Sequence, residues 1–289
     1  MREYYPNYLK FIDEGLELAK KLPRYFSKFS NKIYCNHQKL AIFVLMQKLK
    51  TTSRGVVSWL KCNPEARLHL GVNRVPVHTT ILRFAKKISK LIGTLVGVRQ
   101  ADTVAVDATG FELESKSYYY RTKWNSEGRM RRKEYMKLSI VVDTDKQTIL
   151  NYQIRKKLRN DTIDFKYLVK DLSVKQVIAD KGYDSKSNRQ FVINKLKAIP
   201  IIPKRHYKEF YGYLRGLKKI SGKDYHQRSK VETVFSVIKR KYGSVLRTRS
   251  FVMQKVEIIS KLIAYNIDKK IISYLRIAPQ PKNKRFLNP

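Results

Sequence analysis

The sequence predicts an α/β protein in which an all-helical N-terminal domain precedes a mixed five-stranded sheet with flanking helices. Two observations predict this fold class. Apolar residues recur at helical spacing up to about residue 96, and from about residue 101 short β-branched runs take over, separated by helical segments. We therefore expect a helical domain over residues 1–98, a sheet domain over 99–275 and a basic, disordered tail over 276–289.

The net charge of the chain indicates which kind of molecule it binds. The chain has 62 Lys and Arg against 23 Asp and Glu, a formal net charge of +39. Such an excess favours a polyanionic partner, and nucleic acid is the obvious one. A basic ribosomal or nucleoid protein would carry the same charge, so charge alone does not separate binding from catalysis.

Cysteine usage and hydropathy indicate the compartment. Cys35 and Cys62 are not spaced as a CxxC pair and the five histidines are scattered, so we expect neither a zinc site nor a disulfide framework. The longest apolar run, Leu40–Met46, is far shorter than the roughly 18–20 residues of a membrane span. The N-terminus lacks a signal-type apolar segment. We expect a cytoplasmic protein that has no membrane partner.

The N-terminal part carries helical periodicity in residues 7–22, 37–50, 53–62 and 79–96. In the last segment the apolar residues alternate in spacings of four and three, and Thr79 or Thr80 can cap the helix. Its opposite face is basic and can follow DNA phosphates or enter a major groove; this face carries Arg83, Lys86, Lys87 and Lys90. A merely solvated basic face is the open alternative. We interpret Trp59 as a core residue.

Two predicted strands of the sheet domain each end in an acid. Residues 103–107 form a β-branched run that ends at Asp107, before a turn at 108–110, and residues 175–180 form a strand that ends at Asp180. If a right-handed crossover returns the second strand parallel to the first, these two carboxylates meet. Two like charges at close range favour a divalent cation, and oxygen ligands favour Mg²⁺ or Mn²⁺.

The other sheet-domain elements are assigned by the same rules. We predict strands at 137–143, 148–155 and 198–202, the first two forming a hairpin, and helices at 162–172 and 187–197. Asp161 is a possible cap of the first of these helices.

Two basic segments interrupt this domain. Aromatic and basic residues alternate around 118–133, and we interpret the segment as a nucleic-acid-facing loop in which Arg121 and Lys123 neutralise phosphates and Trp124 stacks on a base. A solvated hairpin is the alternative reading. Residues 204–224 are basic, aromatic and punctuated by glycine, which predicts a mobile connection.

A helix predicted from residue 225 onward supplies a third carboxylate. At about 100° per residue, four polar side chains fall within a stripe of roughly 60°: Tyr225, Arg228, Glu232 and Lys239. An adjacent apolar stripe can dock on the core; it is formed by Val231, Val234, Phe235, Ile238 and Tyr242. An ordinary amphipathic helix with solvated charge pairs is the alternative.

Three carboxylates from strand, strand and helix indicate phosphodiester chemistry. Two divalent ions held by carboxylates can activate a water or hydroxyl and stabilise the leaving oxygen of an in-line displacement. Arg228 and Lys239 would neutralise phosphate oxygens, and Tyr225 could donate a hydrogen bond to the DNA backbone. This donor set on a very basic chain is typical of a nuclease or polynucleotidyl transferase.

The chain resembles the insertion-sequence DDE transposases, whose catalytic core has an RNase H-like fold. Tyr225, Arg228, Glu232 and Lys239 have the spacing Tyr-x2-Arg-x3-Glu-x6-Lys, the signature of the branch formed by insertion sequence families four and five. The segments 107–110 and 179–184 and an N-terminal helical segment also match, so the resemblance covers roughly residues 35–270.

The resemblance implies specific roles. Asp107, Asp180 and Glu232 would be the catalytic, metal-binding triad for two Mg²⁺ or Mn²⁺ ions. The enzyme would cleave the ends of an insertion sequence and join the freed 3′-hydroxyl to target DNA, as a homodimer on double-stranded DNA in the nucleoid of a prokaryotic cytoplasm. Only 51 residues, 181–231, separate the second acid from the glutamate, too few for the β-rich insertion of some relatives.

Three alternatives stay open. Asp184 could replace Asp180 as the second ligand. A structure-selective nuclease of the same fold would share the acids, and a decayed, DNA-binding transposase would share the charge without needing a metal.

Overall fold

The computed structural model describes residues 7–97, 99–114, 135–156, 160–204 and 222–277. Five helices form its N-terminal part: α1 Tyr8–Ala19, α2 Asn36–Lys48, α3 Ser53–Cys62, α4 Pro64–Leu70 and α5 His78–Ile88. Helix α2 is buried along most of its length, because α1, α3, α5 and the C-terminal helix pack around it. Among the described residues, no helix is long and apolar enough to cross a membrane.

A mixed sheet follows, and within the described residues it has six strands. They are β1 Thr103–Leu113, β2 Tyr135–Asp143, β3 Ile149–Arg155, β4 Gln176–Ala179, β5 Ile199–Ile201 and β6 Val245–Leu246. The main order is β3-β2-β1-β4-β5, and β6 pairs with the far end of β1. Strands β4, β5 and β6 are parallel to their neighbours, whereas β2 is antiparallel to both of its neighbours, β1 and β3. The predicted hairpin and the parallel β1–β4 pairing are confirmed, and β6 is a strand that the sequence did not predict.

Helices cover both faces of the sheet. Helices α6 Asp161–Val169 and α7 Lys186–Asn194 pack on one face of the sheet, the face that carries the side chains of Val104 and Val106. The other face carries Ala105 and Ile178, and it is covered by α9 Ser229–Tyr242 and α10 Phe251–Ile277, which follow the short α8 Gly222–His226. Because side chains alternate along a strand, Asp107 and Asp180 share the face that α9 covers.

Helix α10 connects the two parts of the molecule. One hydrophobic cluster runs from the N-terminal helices through α10 to the sheet and includes Phe11, Ile42, Ile263 and Phe111. At the boundary, Gly97 has φ +93°, and a Cβ there would collide with the carbonyl of Leu150. The division at residue 98 stays a prediction, and in the structure the two parts share this cluster.

Several predicted helix ends are wrong. The segment 79–96 is not one helix, because α5 ends at Ile88 and a separate 3-10 turn spans Ile92–Leu95. Its N-cap is Val77, without a side-chain hydrogen bond, and not Thr79 or Thr80. The helix predicted at 162–172 begins at Asp161, and the capping side chain is that of Asn160 and not that of Asp161. Helix α4, with its proline in the first turn, was not predicted.

Candidate active site

Asp107 lies on β1, and Asp180 directly follows the adjacent strand β4. In the β1–β4 register Val106 is opposite Ala179, so the next residue on each chain is an aspartate. Asp107 Oδ1 accepts a hydrogen bond of 2.8 Å from the Ala108 backbone N–H. Asp180 Oδ1 accepts one of 2.7 Å from the Lys181 N–H. The expectation that the two carboxylates meet at this edge is consistent with the register.

The predicted turn at residues 108–110 is wrong, because β1 continues to Leu113. Antiparallel β2 pairs with β1 without a break from Val104 to Glu112, which keeps the backbone extended past Asp107. The parallel partner β4 ends at Ala179, however, so Asp107 lies at the point where that side of β1 becomes open. A carboxylate at this position can be reached from outside the sheet.

Glu232 approaches from the first turn of α9. A single helix from residue 225 onward is wrong: α8 ends at His226, and α9 begins at Ser229. Between them the backbone bonds close over three residues, from Arg228 N to Tyr225 O and from Val231 N to Arg228 O, which interrupts the α-helical ladder. All five residues of the predicted apolar stripe are buried, so the docking face of α9 is as predicted.

Arg228 connects two of the carboxylates. Its Nη1 lies 3.4 Å from Asp107 Oδ2, and its Nη2 lies 2.6 Å from Glu232 Oε1. Burial by itself would lower the pKa of Arg228, but Glu232, Tyr225, Asp107 and Asp180 outweigh it and raise the pKa. The guanidinium is therefore the cation around which the acidic cluster, defined here as Asp107, Asp180 and Glu232, is arranged.

The electrostatic environment disfavours a charged Asp107. Burial raises the pKa of Asp107, and the charges of Asp180 and Glu232 raise it further, against the lowering effects of the Ala108 N–H and Arg228. Mutual repulsion of this kind is relieved by a divalent cation. The all-oxygen donor set is also the type that Mg²⁺ and Mn²⁺ prefer.

The three carboxylates are suitable metal ligands by their chemistry, but in this conformation they are too far apart to bind one ion together. Among the described residues, no group of three or more His, Cys, Asp or Glu is close enough to hold a metal ion in this conformation. Glu232 is turned towards Arg228, and 54% of its side chain is exposed. The residues thus fit a hard cation by type, and Glu232 has to turn from Arg228 to join the two aspartates.

Tyr225 and Lys239 extend the site in two directions. The Arg228 guanidinium carbon lies 6.0 Å from the centre of the Tyr225 ring, and burial followed by the charge of Asp180 raises the pKa of that phenol, with Arg228 opposing. Lys239 Nζ donates to Thr109 Oγ1 at 2.7 Å, two residues beyond Asp107 on β1, and burial lowers the pKa of this lysine. Thr109 is a functional candidate that the sequence reasoning missed, although it stands inside the Asp107–Gly110 motif.

Nearby acids have other partners. Asp184 Oδ1 accepts a 2.8 Å bond from Nε of Arg189, which supports Asp180 as the second candidate ligand. Asp143 accepts backbone N–H groups of residues 145 and 146, as a turn residue does. Asp102 pairs with Lys175 at the surface.

The predicted DNA contacts fall into two groups. On α5 and just beyond it, Arg83, Lys86, Lys87 and Lys90 are all exposed. Arg121, Lys123 and Trp124 lie outside the described residues, as do most of 204–224 and 276–289. Trp59 packs edge-on against Tyr8 at 5.7 Å between ring centres, which supports its interpretation as a core residue.

Comparison with known proteins gives this geometry a context. The sequence profile of the family described as "Transposase DDE domain" matches residues 99–267. No curated protein matches the chain. Among solved structures, the chain is similar to the piggyBac transposase in a synaptic complex with hairpin DNA, determined by cryo-EM.

The similarity to the piggyBac transposase has a TM-score of 0.50 and 12% sequence identity, and it covers 94% of this chain and 76% of that chain. At this identity the likeness shows the fold alone, and it confirms the predicted RNase H-like α/β fold class. The family profile carries the assignment further, because 99–267 is more than half of the 289 residues. The chain therefore belongs to the transposase DDE domain family.

Proposed function

We propose that this protein is a DNA transposase that cleaves the ends of an insertion sequence and joins the freed 3′-hydroxyl to target DNA. The observation that carries the proposal is the convergence of Asp107 and Glu232 on the Arg228 guanidinium, with Asp180 directly after the strand that pairs beside Asp107. Family membership and the fold shared with a transposase support it.

In this proposal the acidic cluster holds two divalent metal ions, Mg²⁺ or Mn²⁺. Bound there, the ions would supply activation of the attacking water or 3′-hydroxyl and stabilisation of the leaving oxygen. The protein contributes the position of the three carboxylates, two of them fixed by the sheet register and one by α9.

The basic residues of the site would bind the DNA backbone. Arg228 presents a planar fork that suits a phosphate, and release from Glu232 would free that fork when DNA enters. Lys239 is held against β1 by Thr109 and would contact a second phosphate along the strand. Tyr225 would donate its hydroxyl proton in a hydrogen bond to a phosphate oxygen, since a tyrosine phenol is protonated at neutral pH.

Double-stranded DNA is the proposed partner. The net charge of +39 and the exposed Lys and Arg side chains of α5 support it, as does the structural neighbour, which is a complex with hairpin DNA. Work on two element ends would require at least a homodimer on DNA.

The test is cleavage of labelled DNA that carries the element's own flanking ends, with Mg²⁺ or Mn²⁺ and with EDTA. We expect metal-dependent, end-specific nicking that Asp107→Asn abolishes while DNA affinity is kept. Cleavage of branched DNA without end preference would indicate a structure-selective nuclease instead. Binding without cleavage under every metal condition would indicate a decayed, DNA-binding protein.

A further inference from the structure

A pocket of about 870 Å³ lies between α5 and the segment that connects α1 to α2, away from the acidic cluster. Three aromatic rings contribute to its walls, those of Phe26, Tyr34 and Phe84. Phe26 and Phe84 are stacked, with ring centres 6.1 Å apart and planes inclined by 29°. The pocket thus has a flat, apolar interior of the size used for small organic ligands.

Five cations surround this interior: Lys39, Arg74, Arg83, Lys86 and Lys87. No acidic residue is among the pocket-lining residues, and no described carboxylate forms an ion pair with any of the five. Lys39 Nζ lies 6.0 Å from the centre of the Phe84 ring. Burial lowers the pKa of Lys39, and the neighbouring charge of Lys87 also lowers it while Cys35 opposes both, so Lys39 and Lys87 repel one another. An anion would relieve that repulsion.

The start of α5 also faces this pocket. Val77 and Thr80 are among the lining residues, and no side chain in the described part of the chain caps the helix at Val77. Uncapped N–H groups at a helix N-terminus attract anions. The lysines and the helix end therefore favour the same kind of ligand group, a phosphate.

Apolar walls and cationic rim together select the ligand. Phosphates of an intact duplex would satisfy the cations but leave the half-buried rings of Phe26 and Tyr34 in contact with water. A peptide would fill the apolar interior but has no general reason to bring several negative charges. A nucleotide whose base is not paired offers a flat ring and a phosphate on either side, and proteins bind single strands by this combination of stacking and cations.

We propose that this pocket binds an unpaired nucleotide of a DNA strand, with its base against Phe26 and Tyr34 and its flanking phosphates on Lys39 and Lys87. The proposal rests on the proposed function only in taking DNA as the ligand, and it requires neither metal nor cleavage. It assigns to the N-terminal helices a preference for DNA with a single-stranded end or a displaced base.

The experiment compares a blunt duplex with the same duplex ending in a short single-stranded overhang, both in EDTA so that no cleavage occurs. Fluorescence anisotropy should show that the overhang binds about tenfold more tightly, the value expected when one base stacks on aromatic side chains. A 5-iodouracil in the overhang should photo-crosslink to the peptide that contains residues 26–34.

Phe26→Leu and Tyr34→Leu keep apolar bulk but remove the stacking rings. Each should reduce the preference for the overhang to about twofold or less and leave blunt-duplex affinity unchanged. Tyr167→Leu is the matched control, because Tyr167 is an exposed ring on α6 outside the pocket. Lys39→Gln tests the phosphate contact if a ring variant unfolds, and it should weaken overhang binding more than blunt-duplex binding.

Equal affinity for the blunt and overhang duplexes in the wild type would overturn the proposal, as would a crosslink outside the pocket. A preference that survives both ring variants would also overturn it. These outcomes leave the proposed transposase activity untouched, whereas loss of the metal-dependent nicking would leave the pocket proposal standing.

Discussion

Two clusters in this protein combine acidic and basic side chains, and they differ in how fully their carboxylates are paired. In the first, Asp268 of α10 is buried and fully engaged. Lys48 Nζ lies 2.6 and 2.7 Å from its two oxygens, and the Tyr242 hydroxyl donates to it at 2.6 Å. In the acidic cluster, two of the three carboxylates share the Arg228 guanidinium, and its distance to Asp107 Oδ2 is 3.4 Å.

The difference separates a structural ion cluster from a site prepared for a ligand. Asp268 is 4% exposed and joins α2, α9 and α10, so its charge is already balanced by the protein. The acidic cluster lies where β4 ends, and burial together with the charges of Asp180 and Glu232 raises the pKa of Asp107, against the Ala108 N–H and Arg228. A carboxylate whose charge is disfavoured in this way favours a cation from solution, and one whose charge is already balanced does not.

Glu232→Gln gives the largest expected effect. Loss of one metal-binding carboxylate should slow strand cleavage by about a thousandfold or more, equivalent to about 4 kcal/mol of transition-state stabilisation. The measurement is single-turnover nicking of end-containing DNA. Glu65→Gln is the control, because Glu65 is likewise an exposed acid in the first turn of a helix. Cleavage by Glu232→Gln at the Glu65→Gln rate would exclude Glu232 from the active site.

Asp268→Asn should affect the stability of the protein, whereas Glu232→Gln should affect DNA cleavage. The variant removes the carboxylate that pairs with the buried Lys48 ammonium, so the free energy of unfolding should fall by about 3–5 kcal/mol. Urea denaturation measures this loss, and the exposed Asp145→Asn should change stability by less than about 0.5 kcal/mol. Unchanged stability in Asp268→Asn would mean that the two clusters do not differ in the way described.

A divalent metal ion should stabilise the folded protein by binding at the acidic cluster and not at the Asp268 cluster. At a Mn²⁺ concentration about 100 times the dissociation constant, the free energy of unfolding of the wild type should rise by about 2.7 kcal/mol. Asp107→Asn should show little of this gain, because it removes one ligand. Thermal melting with Mn²⁺ and with EDTA is the measurement. An equal gain in both proteins would place metal binding elsewhere.

Arg228→Gln tests whether the guanidinium competes with metal for the carboxylates. Without DNA, removal of this cation should strengthen Mn²⁺ binding about fivefold, since partly exposed ion pairs are worth up to about 1 kcal/mol. Isothermal titration calorimetry measures the affinity. Weaker Mn²⁺ binding in the variant would show that Arg228 organises the carboxylates and does not compete for them.

Lys239→Ala should have the smallest effect. If Lys239 contacts one phosphate, the slope of log affinity for DNA against log salt should become shallower by about one unit. Lys170→Ala, at the C-terminal cap of α6 on the opposite face of the sheet, should leave the slope unchanged. An unaltered slope in Lys239→Ala would place this lysine away from DNA.

Local patterns in the sequence were sufficient for much of the candidate site. A right-handed crossover was expected to place the strands before Asp107 and Asp180 side by side and parallel, and β1 and β4 pair in this way. Helical periodicity predicted which side chains of α9 dock on the sheet, and all of them are buried. The second result depends on spacings of a few residues, and the first on short strand patterns combined with a general rule of chain connection.

Tertiary structure decided the rest. Strand β1 runs on past Asp107 because β2, from residue 135 onward, pairs along its whole length. The position of α10 depends on contacts such as Lys48 with Asp268, 220 residues apart, and the pocket beside α5 depends on the stacking of Phe26 on Phe84. Such contacts leave no periodic trace in the sequence, because the side chains that form them come from segments that meet only when the chain has folded.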